Sequence, residues 1–208
     1  MALLTPVAKA LFADLSLRSA DEARQVWGGY GYVHDFGIEQ TVRDSRIAMR
    51  NESSNQIQAV DLVQRQLLDD GGARSDTLMP VLALEAEACQ ANPALQPFAA
   101  ALAGQLQAWR GVQQALPDGR AADPERPLRV ADDVPHGIGH ALMCWAWALI
   151  ASIARTALDP ARPTPPGGRS AAQWLQSAQF GLDWLLPQAQ VHWGRAGRAD
   201  AALPLLTV

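Results

Sequence analysis

The sequence predicts an all-α protein, and three of its features favour this fold class. Apolar residues recur at spacings of three and four, as they do on one face of a helix. Ala, Leu, Gln and Arg are abundant, and the alternating Val, Ile and Thr runs typical of β-strands are not seen. Hydrophobic residues make up 49% and charged residues 18% of the 208 positions, a composition that allows a sizeable core. We therefore expect a helical bundle.

Nine helices are expected along the chain. Clusters of Pro and Gly at 117–135 and 159–168, which are also rich in Asp and Arg, predict two solvated loops. The apolar periodicity places the helices at residues 3–14, 20–27, 38–47, 54–68, 76–90, 94–116, 136–158, 170–193 and 196–205.

The fourth of these helices has the clearest ends. Ser53 and Gln56 have the spacing of a capping box, in which the serine hydroxyl and the glutamine side chain satisfy backbone N–H groups at the helix start. Gly71-Gly72 is expected to end the helix, because glycine adopts the left-handed conformation found after a last helical turn.

The charge balance argues against a nucleic-acid-binding protein. Seventeen basic residues face 21 acidic ones, the net charge is -4, and no dense run of Lys and Arg is present. The two cysteines, Cys89 and Cys144, form no Cys-x-x-Cys pair or cluster, which favours a reducing, cytoplasmic setting over a disulfide scaffold or zinc site.

No membrane span is expected. The longest uncharged apolar run, 141–154, is shorter than the roughly 20 residues needed to cross a bilayer, so it predicts a buried helix. The N-terminal residues have Lys9 inside their apolar run and no small-residue cleavage pattern, which is unlike a signal peptide.

The segment from residue 25 to 68 is the most informative for function. Gly28-Gly29 follows a predicted helix, and missing side chains there allow a ligand to approach the backbone closely. The polar turn 50–54 places Glu52 just before a helix start, where free N–H groups favour an anion. Spacing alone leaves two interpretations open: adjacent carboxylate and phosphate sites, or a plain helix end and a surface acid.

The order of residues in this segment favours a functional site over a plain helix end and a surface acid. The segment contains Gln25, Gly28, Gly29, Gly31 and Tyr32, then Ile38-Glu39, then Arg43-Asp44-Ser45-Arg46-Ile47, then Asn51-Glu52-Ser53-Ser54-Asn55-Gln56-Ile57-Gln58. This series resembles the C-terminal helical domain of flavin-dependent acyl-CoA dehydrogenases. Their hallmark reads approximately Q-x-x-G-G-x-G-Y, V-E-x-x-x-R-D-A-R-I and Y-E-G-T-N-x-I-Q.

Flanking residues are similar to the large branch of that family, which includes 3-methylmercaptopropionyl-CoA dehydrogenases. The similar stretches are 4–10, 59–63 and 70–72. This resemblance implies a partial acyl-CoA dehydrogenase C-terminal helical domain at 1–72, followed by an additional helical C-terminal domain at 73–208.

The resemblance also implies an FAD-dependent enzyme that acts on an acyl-CoA substrate. Glu52 matches the catalytic base, which removes the α-proton of the acyl thioester while hydride passes from the β-carbon to flavin. A carboxylate serves this purpose where a dry pocket raises its pKa. The matched cofactor-binding residues are Gln25, Gly28 and Gly29, which reach a neighbouring subunit's FAD, and Ser54 and Gln56, which contact FAD at a helix start. The Arg43-Asp44 pair is expected to hold helices together.

Several residues depart from the family pattern. The family's Tyr-Glu-Gly-Thr is Asn51-Glu52-Ser53-Ser54 in this chain, and Arg50 stands two residues before the acid. A nearby cation lowers the pKa of a carboxylate, which opposes its use as a base. A non-catalytic helical assembly module or truncated remnant therefore remains an alternative to the dehydrogenase.

The resemblance further implies that two family domains, an N-terminal helical domain and a middle β-domain, have no counterpart in these residues. Because those domains form most of the acyl-CoA and flavin pocket in the family, we expect a homo-oligomer or a hetero-oligomer with a chain that carries them.

Other candidate sites receive plainer interpretations. His136 and His140 are four residues apart, a spacing found in metal sites, but no H-E-x-x-H acid accompanies them. We expect a pair at a helix start beside a loop, and no metal site. The tryptophans after residue 140 are expected to pack in the core or at an interface. The glycines at 28, 29 and 31 do not fit the Rossmann pattern, because position 34 is a histidine.

Overall fold

A computed structural model of the chain describes residues 3–51, 53–157 and 168–198, and these are helical with short connections and no strand. The predicted all-α fold class is therefore confirmed for the described residues. The elements are α1 (Leu4–Val26), two 3-10 turns (Gly28–Gly31 and His34–Phe36), α2 (Ile38–Ala48), α3 (Asn55–Asp61) with a π-helical continuation (Leu62–Leu68), α4 (Ala73–Gln90), α5 (Gln96–Ala122), α6 (Arg126–Val130), α7 (Asp133–Ala157), α8 (Ala171–Phe180) with a π-helical continuation (Gly181–Leu185), and α9 (Gln188–Gly197).

Helix α1 connects the N-terminal helices to the main core. It packs against α2, α3 and α7. The predicted break at residues 15–19 is wrong, since α1 is continuous to Val26. Polar residues there suggested a helix end, but Ser16 faces α2, where its hydroxyl lies 3.3 Å from that of Ser45.

The main core lies between α4, α5, α7 and α9. Its largest fully buried side chains include Trp109, Phe98, Leu102, Met79 and Ile138. Small side chains line the buried face of α7, which lets neighbouring helices approach closely. Leu11 of α1 packs on Gly139 of α7, where an added Cβ would lie 2.6 Å from a methyl carbon of that leucine.

Helix α7 is long and apolar enough, by length and composition, to cross a membrane. Half of its most apolar window is buried inside the fold, as in the core helix that the sequence predicts. Cys144 on α7 and Cys89 on α4 are both buried free thiols. Burial raises the pKa of Cys89 to about 11 and that of Cys144 to about 12.

The predicted loop at 117–135 is largely helical, which corrects the sequence interpretation. Helix α5 continues through Pro117 to Ala122, α6 follows, and α7 begins at Asp133. Pro117 removes one backbone N–H donor, but Leu116 and Gly119 on either side are buried, so packing holds this part of α5 in place. The second predicted loop lies almost wholly at residues 158–167, outside the described residues, as does most of the helix predicted at 196–205.

Two of the predicted helices contain π-helical segments. The helix predicted at 54–68 changes hydrogen-bonding pattern at Leu62, and Asp69 N–H donates to the carbonyl of Gln64, five residues back (2.9 Å). Gly71 and Gly72, at φ 62° and 81°, end this segment as predicted. The helix predicted at 170–193 is interrupted between α8 and α9 at Pro187, which has no N–H to continue the ladder.

Gly181 begins the second π-helical segment at a close contact with α7. A Cβ at this position would lie 2.3 Å from the Trp147 indole. We expect Gly181→Ala to lower the free energy of unfolding by about 1–3 kcal/mol, because the ring has to move. Gly194→Ala is the matched control: a Cβ there meets nothing within 4 Å, so alanine should raise helix stability by about 0.5–1 kcal/mol. Urea denaturation of both variants measures the difference, and equal effects would contradict the packing described here.

Candidate functional site

The first candidate segment is the turn that follows α1. The helix ends at Val26, and Gly28 has the left-handed φ of 57° that favours glycine. An added Cβ at Gly28 or Gly29 would meet no atom within 4 Å, and Gln25 is exposed. The backbone of this turn is therefore open to a ligand or to another chain.

Four aromatic side chains surround this turn, and we call them the aromatic turn: Trp27, Tyr30, Tyr32 and Phe36. All four are substantially exposed, with Tyr32 at 79%. The rings of Tyr30 and Phe36 meet edge to face at 4.9 Å. Clustered exposed aromatics are typical of interaction surfaces, since a folded chain rarely leaves such a patch in water.

The second candidate segment is the start of α3. Ser54 is extended (ψ 157°), and its hydroxyl accepts a hydrogen bond from the Ile57 N–H (3.3 Å), so Ser54 caps the helix. The predicted capping box of Ser53 and Gln56 is wrong by one position. Ser53 has a φ of 82°, in the left-handed region, and this conformation moves the cap to the next residue.

The candidate residues around this cap differ in accessibility. Ser54 is half-buried and Gln56 is exposed, and the N–H groups of Asn55 and Ile57 on either side of Gln56 are hydrogen-bonded within the chain. Glu52, which the sequence predicts as catalytic base, lies outside the described residues. The role of all six predicted site residues stays a prediction.

The two candidate segments are separated along α1. Asn55 at the start of α3 contacts Asp14, in the middle of α1. Gly28 is 14 positions further along, which corresponds to roughly 20 Å at a rise of about 1.5 Å per residue. The structure therefore does not bring the turn at 25–29 to the start of α3 within one chain.

A buried amide fixes the start of α3 on α1. Asn55 is 2% exposed, and its side-chain nitrogen donates to Asp14 Oδ1 (3.0 Å) and to the Ala10 carbonyl (3.3 Å). Its oxygen accepts from Lys9 Nζ (3.3 Å), which also donates to the Ala48 carbonyl. Sequence reasoning did not single out Asn55, although the matched family motif includes it.

Asp14 joins this amide to a histidine on α7. His136 Nε2 lies 2.5 Å from Asp14 Oδ2, and His136 Nδ1 lies 2.7 Å from the Asp132 carbonyl oxygen. Burial alone would lower the pKa of His136, but hydrogen bonding and attraction to Asp14 outweigh it and leave the pKa raised. Burial would raise the pKa of Asp14, but the hydrogen bond and charge of His136 leave it lowered.

Two further histidines stand beside His136. The His192 ring from α9 stacks on it at 4.9 Å, and His140 lies 5.6 Å from His192. His192 Nδ1 is 2.8 Å from Asp133 Oδ1. Burial lowers the pKa of His140. His136 does lie in the first turn of α7, but its contacts with Asp14 and His192 could not be predicted, because those residues are distant along the chain.

These histidines do not form a metal centre in the described structure. Within residues 3–51, 53–157 and 168–198, no group of three or more His, Cys, Asp or Glu residues is arranged to hold a metal ion.

Among the described residues, the Arg43-Asp44 pair bonds within one helix and does not join helices, which corrects its sequence interpretation. Arg43 bonds to Glu39 and Gln40, and Asp44 accepts from Gln40 Nε2 (2.7 Å). All of these partners are on α2, where side chains three and four positions apart meet on one face.

A cleft of about 390 Å³ lies between α1 and α2. Its lining residues are Asp14, Leu17, Arg18, Asp21 and Val42. None of the predicted cofactor-binding residues is among them, so this cleft is not the predicted flavin site.

Comparison with known proteins gives two family matches. Residues 81–204 match the family described as acetyl-CoA dehydrogenase C-terminal like, and residues 2–68 match the acyl-CoA dehydrogenase C-terminal domain. The first match covers more than half of the chain.

Curated relatives agree with these matches. A 3-methylmercaptopropionyl-CoA dehydrogenase of Ruegeria pomeroyi is 31% identical over 59% of this chain and 21% of its own length. A cyclohexane-1-carbonyl-CoA dehydrogenase of Syntrophus aciditrophicus is 37% identical over 32% of this chain and 17% of its own length. The mitochondrial isobutyryl-CoA dehydrogenase of Bos taurus is 37% identical over 32% of this chain and 16% of its own length. The chain thus spans about a fifth or less of these relatives.

The two adjacent serines provide a test of the α3 start. We expect Ser54→Ala to lower the free energy of unfolding by about 1 kcal/mol, because the Ile57 N–H loses its acceptor. Ser53→Ala should change it by less than about 0.5 kcal/mol, since Ser53 does not cap the helix. Urea denaturation of the two variants compares them. A larger loss for Ser53→Ala would restore the capping box that the sequence predicts.

Proposed function

Because this chain belongs to the acyl-CoA dehydrogenase family, we propose that it contributes to an FAD-dependent α,β-dehydrogenation of an acyl-CoA thioester. The observation that carries this proposal is the ordered series of matched residues from Gln25 to Gln58, which lies inside the family match at 2–68. The match at 81–204 supports assignment to the branch with an additional C-terminal domain.

Glu52 is the proposed catalytic base. Its carboxylate takes the α-proton of the thioester, and bound FAD supplies the hydride acceptor. A base of this kind contributes about 10²–10⁴-fold to the rate. It works best with a pKa near the operating pH, which requires dry surroundings.

The described residues at the start of α3 fit one edge of a flavin nucleotide. At this helix start the Asn55 and Ile57 N–H groups are already hydrogen-bonded within the chain, which leaves the backbone N–H and exposed side chain of Gln56 to face an anionic group. Ser54 uses its hydroxyl oxygen to accept from Ile57, and its own proton remains available to donate. Ser54 and Gln56 would hold the cofactor there.

The turn at Gln25, Gly28 and Gly29 serves a second FAD in this proposal. It lies roughly 20 Å from the start of α3 along α1, too far for both segments to hold the same part of one cofactor. Its open backbone and the exposed aromatic turn suit a contact with another subunit. The chain therefore acts in an oligomer, with one segment at its own site and one at a neighbour's.

The remainder of the pocket comes from outside these 208 residues. We propose a division between a partial family domain at 1–72 and an additional helical domain at 73–208, and we assign the acyl-CoA and flavin surfaces beyond them to the preceding family domains. The buried free thiols Cys89 and Cys144 suit a reducing cytoplasm, where we place the protein.

A helical assembly module without catalysis is the second candidate, and Ser53 favours it. The matched family motif has glycine at this position, and Ser53 adopts a φ of 82°, a conformation that costs a side-chain-bearing residue about 1 kcal/mol or more. A chain under selection for the geometry of this turn would be expected to keep glycine.

Reconstitution decides between the two candidates. We expect co-production of this chain with a polypeptide carrying the preceding two domains to give a yellow complex that oxidises acyl-CoA with an artificial electron acceptor. Glu52→Gln should lower turnover about 10²–10⁴-fold and leave the flavin absorbance unchanged, because only the proton acceptor is lost. Glu22→Gln, at an exposed position on α1, is the matched control and should retain full turnover.

Two outcomes would contradict the proposal. A stable complex with no flavin absorbance supports the assembly module. A flavin-containing complex in which Glu52→Gln turns over at the normal rate removes Glu52 from the mechanism.

A further inference from the structure

A chain of three polar side chains connects the start of α3 with the second family match. Asn55, Asp14 and His136, which we call the Asn-Asp-His chain, come from α3, α1 and α7. Asn55 and His136 are 2% and 8% exposed, and Asp14 is partly covered. Buried polar groups are expensive unless they are hydrogen-bonded, and each member here bonds to the next.

The hydrogen bonds leave the Asn55 side chain little freedom to rotate. Its NH₂ group donates to Ala10 and Asp14, and its oxygen accepts from Lys9. Its backbone N–H donates to the Met49 carbonyl (3.1 Å), across the turn that contains residues 50–54. The side-chain and backbone hydrogen bonds of Asn55 together fix the turn and the first residue of α3, which follows the Ser54 cap.

We propose that Asn55 is a positioning residue for the start of α3, and that His136 on α7 holds it in place through Asp14. The consequence of this inference for catalysis rests on the proposed function. It gives the additional C-terminal domain a specific task at the flavin site, because α7 supplies the last member of the Asn-Asp-His chain.

The charge on His136 governs this arrangement. A protonated imidazole donates to Asp14 as one ion to another, which makes a stronger hydrogen bond than a neutral donor would. The groups that face it are Asp14 and Arg18 on α1, Asp132 and His140 on α7, and His192 on α9, with Asp133 and Arg195 paired to His192. Asp14 and Asp132 attract the imidazolium of His136, and the charges of His136 and His192 help to lower the pKa of His140.

The sign of the pH dependence follows from this pairing. A histidine that gains a carboxylate partner on folding stabilises the fold fully below its ordinary pKa of about 6.5. That contribution is lost as the pH rises through the higher pKa of the folded state. The start of α3 should therefore be most ordered in mild acid and loosen in mild base.

Hydrogen exchange in the full 208-residue chain measures this directly, without flavin or a partner. We expect the protection factor of amides 53–60, corrected for intrinsic rates, to fall about tenfold between pH 5.5 and pH 8.5. In His136→Gln the glutamine side chain can still donate to Asp14 but does not titrate. The protection factor of amides 53–60 should therefore stay constant across this pH range. Asp14→Asn, which removes the charge from the other partner, should also abolish the pH step.

The matched control is His34→Gln, an exposed histidine that pairs with Glu39 at the start of α2. It should retain the wild-type pH step at 53–60. Amides 102–112 of α5 report global unfolding, and their protection should exceed that of amides 53–60 at every pH, which shows that 53–60 exchange by local opening. A pH step at 53–60 in His136→Gln equal to that of the wild type would overturn the proposal.

A second measurement separates this proposal from the proposed function. In the reconstituted complex, the pH dependence of FAD affinity should be flatter in His136→Gln than in the wild type, and unchanged in Glu52→Gln. A complex without flavin overturns the proposed function, and the exchange data still decide whether His136 orders the start of α3. Flavin binding with identical pH profiles in both proteins overturns the role of His136 at the site.

Discussion

The packing of α1 against both the α2–α3 segment and α7 is the constraint on which the rest of the structure depends. Helix α1 contacts α2, α3 and α7. Leu11 packs on Gly139, Ser16 meets Ser45, and Asp14 meets both Asn55 and His136. Because a single helix carries these contacts, a shift of α1 would disturb the start of α3 and its contact with α7 together.

This constraint also explains the positions of the candidate site residues. Asn55 binds the middle of α1, so the Ser54 cap lies there, and the glycine turn lies at the far end of the same helix. A rigid helix between the two candidate segments sets their separation at roughly 20 Å. Such an arrangement suits an oligomer in which each chain serves two sites.

Local sequence signals predicted the helices well and their interruptions poorly. The end at Gly71-Gly72 was predictable because glycine is nearly alone in favouring positive φ. A break at 15–19 and a loop at 117–135 were predicted, but α1 continues through the first, and burial of Leu116 and Gly119 keeps the first part of the second helical. The capping position was missed by one residue, because the left-handed conformation of Ser53 depends on the turn rather than on the spacing to Gln56. The Asp14–His136 contact joins residues 122 positions apart in the sequence, and helical periodicity, which is a local pattern, cannot predict such a contact.

The buried cysteines have a practical consequence. Thiolate is the species that reacts with alkylating reagents and oxidants, and thiols with pKa values near 11 and 12 are almost entirely protonated at neutral pH. The folded chain should therefore resist modification by maleimide or peroxide at Cys89 and Cys144. Its two thiols become reactive only when α4 and α7 separate, so they serve as built-in reporters of opening of the core.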